Sequence, residues 1–371
     1  MRAEPFSIHV AEQVLDDLRA RIRATRLPPA APGAAWERGT DLEFLRELLA
    51  DWAAFDWRAR ERWLNGFAHF RAAGVHFVHE RAVDGRGIPL VLTHGWPSTF
   101  AESLALVPLL TDPAAHGIDG PAFDVVIPSL PGYGFSERPA RCTTRDTARL
   151  WHELMRGLGY ERYGAQGGDF GASVTTWMAL EDPAALLGIH LHNLDDTPYT
   201  GPGSRPLSDA ERAYRADVAR WDAVERGYSS IQSTKPQTVA FGLNDSPAGL
   251  AAWIAEKWRS WSDAPGIPRE LLLTTLTLFW ATQTIATSMR DYYDMRWHGS
   301  PLGPGDRVPV PTAIAVFDRM LVPEGTPPRE WAERLFNIVR WTPMPRGGHF
   351  APAEEPRLLA RDIAEFFERD C

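Results

Sequence analysis

The sequence predicts an α/β protein: a mostly parallel sheet flanked by helices, with a helical N-terminal extension and a helical cap inserted into the sheet. Three observations predict it. Short apolar runs of strand character alternate with helical patterns from about residue 75 to 194. That alternation stops near residue 197 and resumes near 306. A turn of small residues, Gly167-Gly168-Asp169-Phe170-Gly171, lies where a strand gives way to a helix.

Residues 1–80 read as mainly helical. VAEQVLDDLRARIRATRLP has apolar residues at helical spacing and stops at Pro28. LEFLRELLADWAAF forms a second helix, and FDWRARERWLNGF continues the pattern. VHFVHERA then reads as a strand. IPLVLTHGWPS and FDVVIPSLPGYGFS are strands that each end in a Gly/Pro turn. A helix around 146–158 leads to YERYGAQGGDFGASVTTWMAL, which passes from strand through tight turn to helix. LLGIHLHNL is a further strand, and residues 81–196 form the first part of the core. Residues 197–305 are helical and aromatic-rich and read as the cap. VPVPTAIAVF and IVRWTPM are the last strands, the helix PRLLARDIAEFFERD closes the chain, and residues 306–371 complete the core.

Composition narrows the function classes. The chain has 371 residues, 44% of them hydrophobic, enough for a large core in two or three parts. A net charge of −9 argues against nucleic acid, whose binders carry basic patches. No apolar run approaches a membrane span, and MRAEPFSIHV lacks the apolar run of a signal peptide. Two cysteines, Cys142 and Cys371, make no disulfide framework, so a cytoplasmic location is expected. Lysine occurs only at 235 and 257 against many arginines; with abundant Ala and Pro, this points to a GC-rich bacterial genome.

The sharpest chemical signal is Asp169 in its frame of glycines. A strained strand-to-helix turn needs small neighbours and lifts one side chain above the sheet edge, beside a helix N-terminus that favours an anion. This is the nucleophile elbow of α/β-hydrolases, with Asp in place of Ser. A Gly-rich turn with an Asp cap is the plain alternative. The DFG within it lacks the companion motifs of a kinase. Gly347-Gly348-His349-Phe350 follows the last strand, 180 residues beyond Asp169, in the order nucleophile then histidine that this fold uses. His94-Gly95-Trp96-Pro97-Ser98 follows an earlier strand at the place where the fold takes one oxyanion-hole amide. The residue after the nucleophile gives the other, so the two amides are those of Trp96 and Phe170. His94 itself reads as structural.

Taken together, these motifs and FDWRARERWLNGFAHF, SLPGYGFS, IQSTKPQTVAFGLNDSPAGLAAWIAEKW, MRDYYD and RGGHFAPAEEPRLLARDI resemble the microsomal-type epoxide hydrolases and their bacterial soluble relatives nearly end to end. The hydrophobic N-terminal membrane anchor of that family is missing from the sequence. The resemblance implies that Asp169 attacks an epoxide carbon to form an ester. Tyr228 (in RGYSSIQ) and Tyr292 (in MRDYYD) then protonate the leaving alkoxide, Tyr293 being the lesser choice for the second role. His349 activates the water that releases a diol. A carboxylate suits this step because it is already ionised at neutral pH. Neither metal nor organic cofactor is expected; the partners are an epoxide and water. Homodimers are common among such enzymes, and the sequence does not fix the oligomeric state.

The third member of the triad is where the chain departs from the family. The acid that orients the histidine normally follows the strand read as 310–317. Here the chain runs Phe317-Asp318-Arg319-Met320-Leu321-Val322-Pro323-Glu324, with Met320 in the acid's place. Asp318 is the first choice, Glu324 the second, and Asp195 or Asp196 a third. The alternatives to an epoxide hydrolase are another Asp-nucleophile hydrolase, such as a haloalkane dehalogenase, or a binding protein with weakened catalysis. Tryptophans 253, 258, 261, 280 and 297 fall in the cap. Some of them lining the pocket would suit a bulky or aromatic epoxide, in detoxification or in natural-product synthesis.

Overall fold

The computed structural model describes residues 2–30, 32–33, 35–263, 266–317 and 326–369. Its centre is a nine-stranded sheet in the order β1-β2-β3-β5-β4-β6-β7-β8-β9. The strands are β1 (Glu4–Pro5), β2 (His69–Ala72), β3 (Val75–Glu80), β4 (Ile88–Thr93), β5 (Phe123–Pro128), β6 (Tyr163–Gly167), β7 (Leu186–Leu191), β8 (Val308–Val316) and β9 (Phe336–Pro343). From β5 to β9 in the spatial order every neighbour is parallel; β1, β2 and β3 join antiparallel at one edge. Parallel strands are covered on both faces, which is why β4 and β5 read as unbroken apolar runs: Leu90, Val91, Leu92, Val125, Val126 and Ile127 are all fully buried.

Two strands lie where the sequence suggests only helix. β2 pairs with β3 through a two-residue turn at Ala73-Gly74, both with positive φ. That turn matches the twist of a hairpin. Its sequence signal is weak, because alanine stands where Asn or Gly usually accepts that conformation. β1 is two residues long and follows from its pairing with β2, not from any periodicity.

Before the hairpin come α1 (Glu12–Arg23), α2 (Leu42–Ala54) and α3 (Trp57–Leu64). The Asp41 and Asp56 side chains cap α2 and α3 by accepting from Phe44 N and Ala59 N. Between the core strands run α4 (Leu106–Thr111), α5 (Thr144–Gly157), opened by a Thr143/Asp146 capping box, and α6 (Phe170–Glu181). Six helices separate β7 from β8: α7 (Asp209–Glu225), α8 (Gly227–Gln232), α9 (Pro236–Asp245), α10 (Pro247–Trp261), α11 (Arg269–Thr282) and α12 (Ile285–His298). The closing helices are α13 (Arg329–Ala332), α14 (Ala351–Glu354) and α15 (Pro356–Arg369).

The inserted helices are tied down by burial and by ion pairs. The indoles of Trp258 and Trp261 are almost completely buried at the end of α10. At ~25 cal/mol per Å², an indole of ~200 Å² contributes on the order of 5 kcal/mol before entropy is charged. Trp258 also donates to Pro97 O at 3.2 Å, joining α10 to the loop after β4. Glu211, at the start of α7, takes both Arg334 Nε (2.6 Å) and Nη2 (2.7 Å) from the segment before β9, and these contacts push its carboxyl down to about 2. Among the described residues no helix is long and apolar enough to cross a membrane.

Candidate active site

β6 ends at Gly167, and Asp169 stands at the start of α6 with φ 54 and ψ −133. A non-glycine residue in that region is strained, and the strain lifts the carboxyl off the end of the sheet. Its neighbours must be glycines for room: a Cβ on Gly95 would lie 2.3 Å from Asp169 Oδ1, and one on Gly168 would lie 2.0 Å from His192 Nε2. The two carboxylate oxygens are in different environments. Trp96 N donates to Oδ1 at 2.8 Å, whereas Oδ2 lies 3.3 Å from His349 Nε2. The Trp96 amide projects from a loop that carries a cis Trp96–Pro97 bond. Phe170 opens α6, so its amide belongs to the positive end of that helix.

The loop holding His349 is built on backbone contacts. His349 N donates to Trp261 O at 2.8 Å, and Glu354 accepts from the amides of Gly348 (3.2 Å) and Phe350 (3.0 Å). Its third donor is the Asp263 amide, at 2.7 Å. The imidazole packs against Trp261 and Phe350, each with ring centroids 4.9 Å away. Its Nδ1 is buried and has no hydrogen-bond partner among the described residues. Asp318 and Glu324, the two residues put forward to orient it, lie outside the described residues. Asp196 is engaged elsewhere, accepting from Ser173 Oγ at 3.0 Å, and Asp195 lines the cavity in front of Asp169.

Tyr228, at the start of α8, and Tyr292, on α12, line the same cavity as Asp169. Their ring centroids are 5.8 Å apart, nearly perpendicular. Tyr228 stacks on Trp96 (5.5 Å, 8°), and Tyr292 stands edge-on to Phe170 (4.9 Å). Burial, then the neighbouring Tyr228 and the Asp169 carboxylate, push the Tyr292 phenol well above its usual range, so it rests as a proton donor. Tyr293, the lesser choice, is exposed and packs on Trp297 instead. Asp169, Phe170, Tyr228 and Tyr292 line a cavity of about 340 Å³ together with Arg226, Ser229, Ser233 and Arg296. Tyr228 also borders a larger groove of about 1420 Å³ between the N-terminal segment and α10.

Some residues that matter here had no sequence signal. Asn193 accepts from Asp169 N and donates to His349 O at 3.4 Å, joining the two loops through one buried amide. Arg138 forms ion pairs with Asp291 and Asp294 (2.6 Å to the latter), the residues flanking Tyr292 and Tyr293, and so fixes the rotation of α12. Glu102 is buried, and burial pushes its carboxyl up to about 7. With Ser98, His192, Asp169 and His349 it bounds a space of about 10 Å³, near the lower limit for a single water. Burial pushes the His94 imidazole down to about 4, and its Nε2 accepts from Leu130 N at 3.2 Å, pinning one active-site loop to another.

Comparison with known proteins decides the family. Residues 3–103 match the family described as "Epoxide hydrolase N terminus", and residues 88–302 match the alpha/beta hydrolase fold. A putative epoxide hydrolase of Stigmatella aurantiaca is 40% identical over 98% of this chain and 84% of its own length. The chain belongs to the microsomal-type epoxide hydrolase family. Epoxide hydrolase 1 of Oryctolagus cuniculus is 35% identical over 98% of the chain and 88% of its own length. The crystal structure of Aspergillus niger epoxide hydrolase superposes with a TM-score of 0.85 at 30% identity, covering 100% of this chain and 97% of that one. The protein is therefore an epoxide hydrolase of the α/β-hydrolase fold.

Proposed function

We propose that the enzyme opens its epoxide in two covalent steps. The observation that carries this reading is the division of labour at the Asp169 carboxylate: Oδ1 is held by the Trp96 amide, Oδ2 lies beside His349 Nε2, and the tyrosine pair lines the cavity that Asp169 also lines. Oδ2 attacks an epoxide carbon. The carbon–oxygen bond of the ring breaks, and Tyr228 or Tyr292 gives its proton to the leaving alkoxide. His349 then takes a proton from water, which attacks Cγ of the ester. Charge develops on Oδ1, where the Trp96 and Phe170 amides stabilise it. The Cγ–Oδ2 bond breaks, the departing oxygen takes the proton held by His349, and the diol leaves with Oδ2; the water oxygen remains on Asp169, and the second proton of that water restores the tyrosine.

The acid that orients His349 comes, in this reading, from the segment after β8, as Asp318 or else Glu324. Two contacts support it. Met344 N donates to Val316 O at 2.8 Å, and a Cβ on Gly347 would lie 2.7 Å from the Phe317 ring, so the end of β8 borders the histidine loop. The substrate is a bulky or aromatic epoxide, since the rings of Phe170, Tyr228 and Tyr292 wall the reacting end of the cavity. The helices from α7 to α12 are its lid. Incubation with styrene oxide is the test. The wild type is expected to release phenylethanediol, and Asp169→Ala to lose at least ~10⁴-fold in rate. Diol formation by Asp169→Ala near the wild-type rate would reject Asp169 as nucleophile.

A further inference from the structure

Lys257 stands out chemically. All but two of the 39 basic residues are arginine, and the other cation–ring contacts among the described residues are made by arginines. Lys257, on α10, is 6% exposed. Its ammonium lies 4.8 Å from the centroid of the Tyr228 ring and 5.9 Å from that of Trp261. Glu256 Oε2 is 2.7 Å from Nζ, and Glu256 Oε1 accepts from Ser260 Oγ at 3.0 Å. An ammonium is a compact point charge, unlike the spread charge of a guanidinium.

We infer that Lys257 is a positioning residue for the first chemical step: its ammonium stabilises the negative charge that enters the Tyr228 ring as that phenol hands its proton to the epoxide oxygen. The inference rests on Tyr228 being a proton donor in the reading above. Proton transfer leaves a phenolate facing the cavity that Asp169 also lines. As Oδ2 bonds to carbon, its negative charge passes through the epoxide oxygen to the Tyr228 ring, where none stood before the reaction. A cation close to the ring stabilises the charge at that new place and is attracted to the ring even before transfer. The second step needs no charge on Tyr228, so Lys257 should not affect it. The proton balance is unchanged: Lys257 neither gives nor takes one, and the phenolate recovers its proton from the carboxyl that the attacking water leaves on Asp169.

The test separates the two steps. Alkylation is followed as ester adduct by quench-flow mass spectrometry with excess styrene oxide, and ester hydrolysis as decay of that adduct, in the wild type, Lys257→Met, Lys257→Arg, Tyr228→Phe and Tyr228→Phe/Lys257→Met. Lys257→Met is expected to slow alkylation by about tenfold or more and leave ester hydrolysis within about twofold. Lys257→Arg should recover much of the loss. In the Tyr228→Phe background, where Tyr292 alone donates, removing the ammonium should change little. Lys257→Gln, read in the same way, serves if the methionine variant does not fold. A folded Lys257→Met with wild-type alkylation, an equal fall in both steps, or the same fall in the Tyr228→Phe background would overturn the inference. Wild-type alkylation by Tyr228→Phe itself would instead overturn the donor role of Tyr228, and this inference with it.

Discussion

His349→Gln is expected to alkylate once and stop. The variant keeps Asp169, its Trp96 amide and both tyrosines, so the first step needs nothing from position 349. The second step loses its base. General-base catalysis is worth ~10²–10⁴-fold, so steady-state diol formation should fall by about 10³ while one equivalent of epoxide is consumed in a burst. Intact-protein mass spectrometry should show a gain equal to the mass of the epoxide, located on the peptide that contains Asp169. Glutamine preserves much of the volume between Trp261 and Phe350. A slow turnover with no adduct would mean that His349 acts before the ester forms.

The second large effect concerns the tyrosine pair. Tyr228 and Tyr292 sit on different helices, yet their ring centroids are 5.8 Å apart and both line the cavity of Asp169. In the proposed mechanism either one donates to the oxygen leaving the carbon that Asp169 attacks. Single replacements by phenylalanine are therefore expected to slow alkylation by about ten- to a hundredfold, because the partner still donates. Removing both leaves an alkoxide with no proton donor, and the loss should exceed the product of the single effects, which is itself ~10²–10⁴-fold. Shared partners make such effects non-additive. The readout is the burst rate of adduct formation with styrene oxide. A double variant no slower than either single one would place the proton donor elsewhere.

How legible all this is in the sequence depends on the kind of signal. β4 and β5 can be read because parallel strands buried on both faces give continuous apolar runs closed by Gly/Pro turns, and β6 because a glycine turn and a helix follow it. β1 and β2 cannot be, since their existence depends on pairing with β3 across a hairpin with an alanine at a positive-φ position. Asp169, Trp96 and His349 show because each stands in a glycine-rich turn at the end of a strand, and the close approaches at Gly95 and Gly168 explain why glycine is needed there. Tyr228 and Tyr292 are placed only by resemblance, as nothing in their local pattern separates them from packing tyrosines. Asn193 and Arg138 act on groups far along the chain, such as His349 and Asp294, so no local pattern announces them. Asp318 and Glu324 lie beyond the described residues, and the chain departs there from the family pattern.

In the proposed mechanism the oxygen added to the epoxide comes first from Asp169 and only later from water. A single turnover in H₂¹⁸O, with enzyme in excess over styrene oxide, distinguishes the two sources. An unlabelled diol and one ¹⁸O atom in the peptide containing Asp169 are expected, because the departing diol carries Oδ2 and the attacking water refills the carboxylate. A diol labelled in that first turnover, with Asp169 unlabelled, would contradict it: water would then have attacked the epoxide carbon itself, with Asp169 serving as a base.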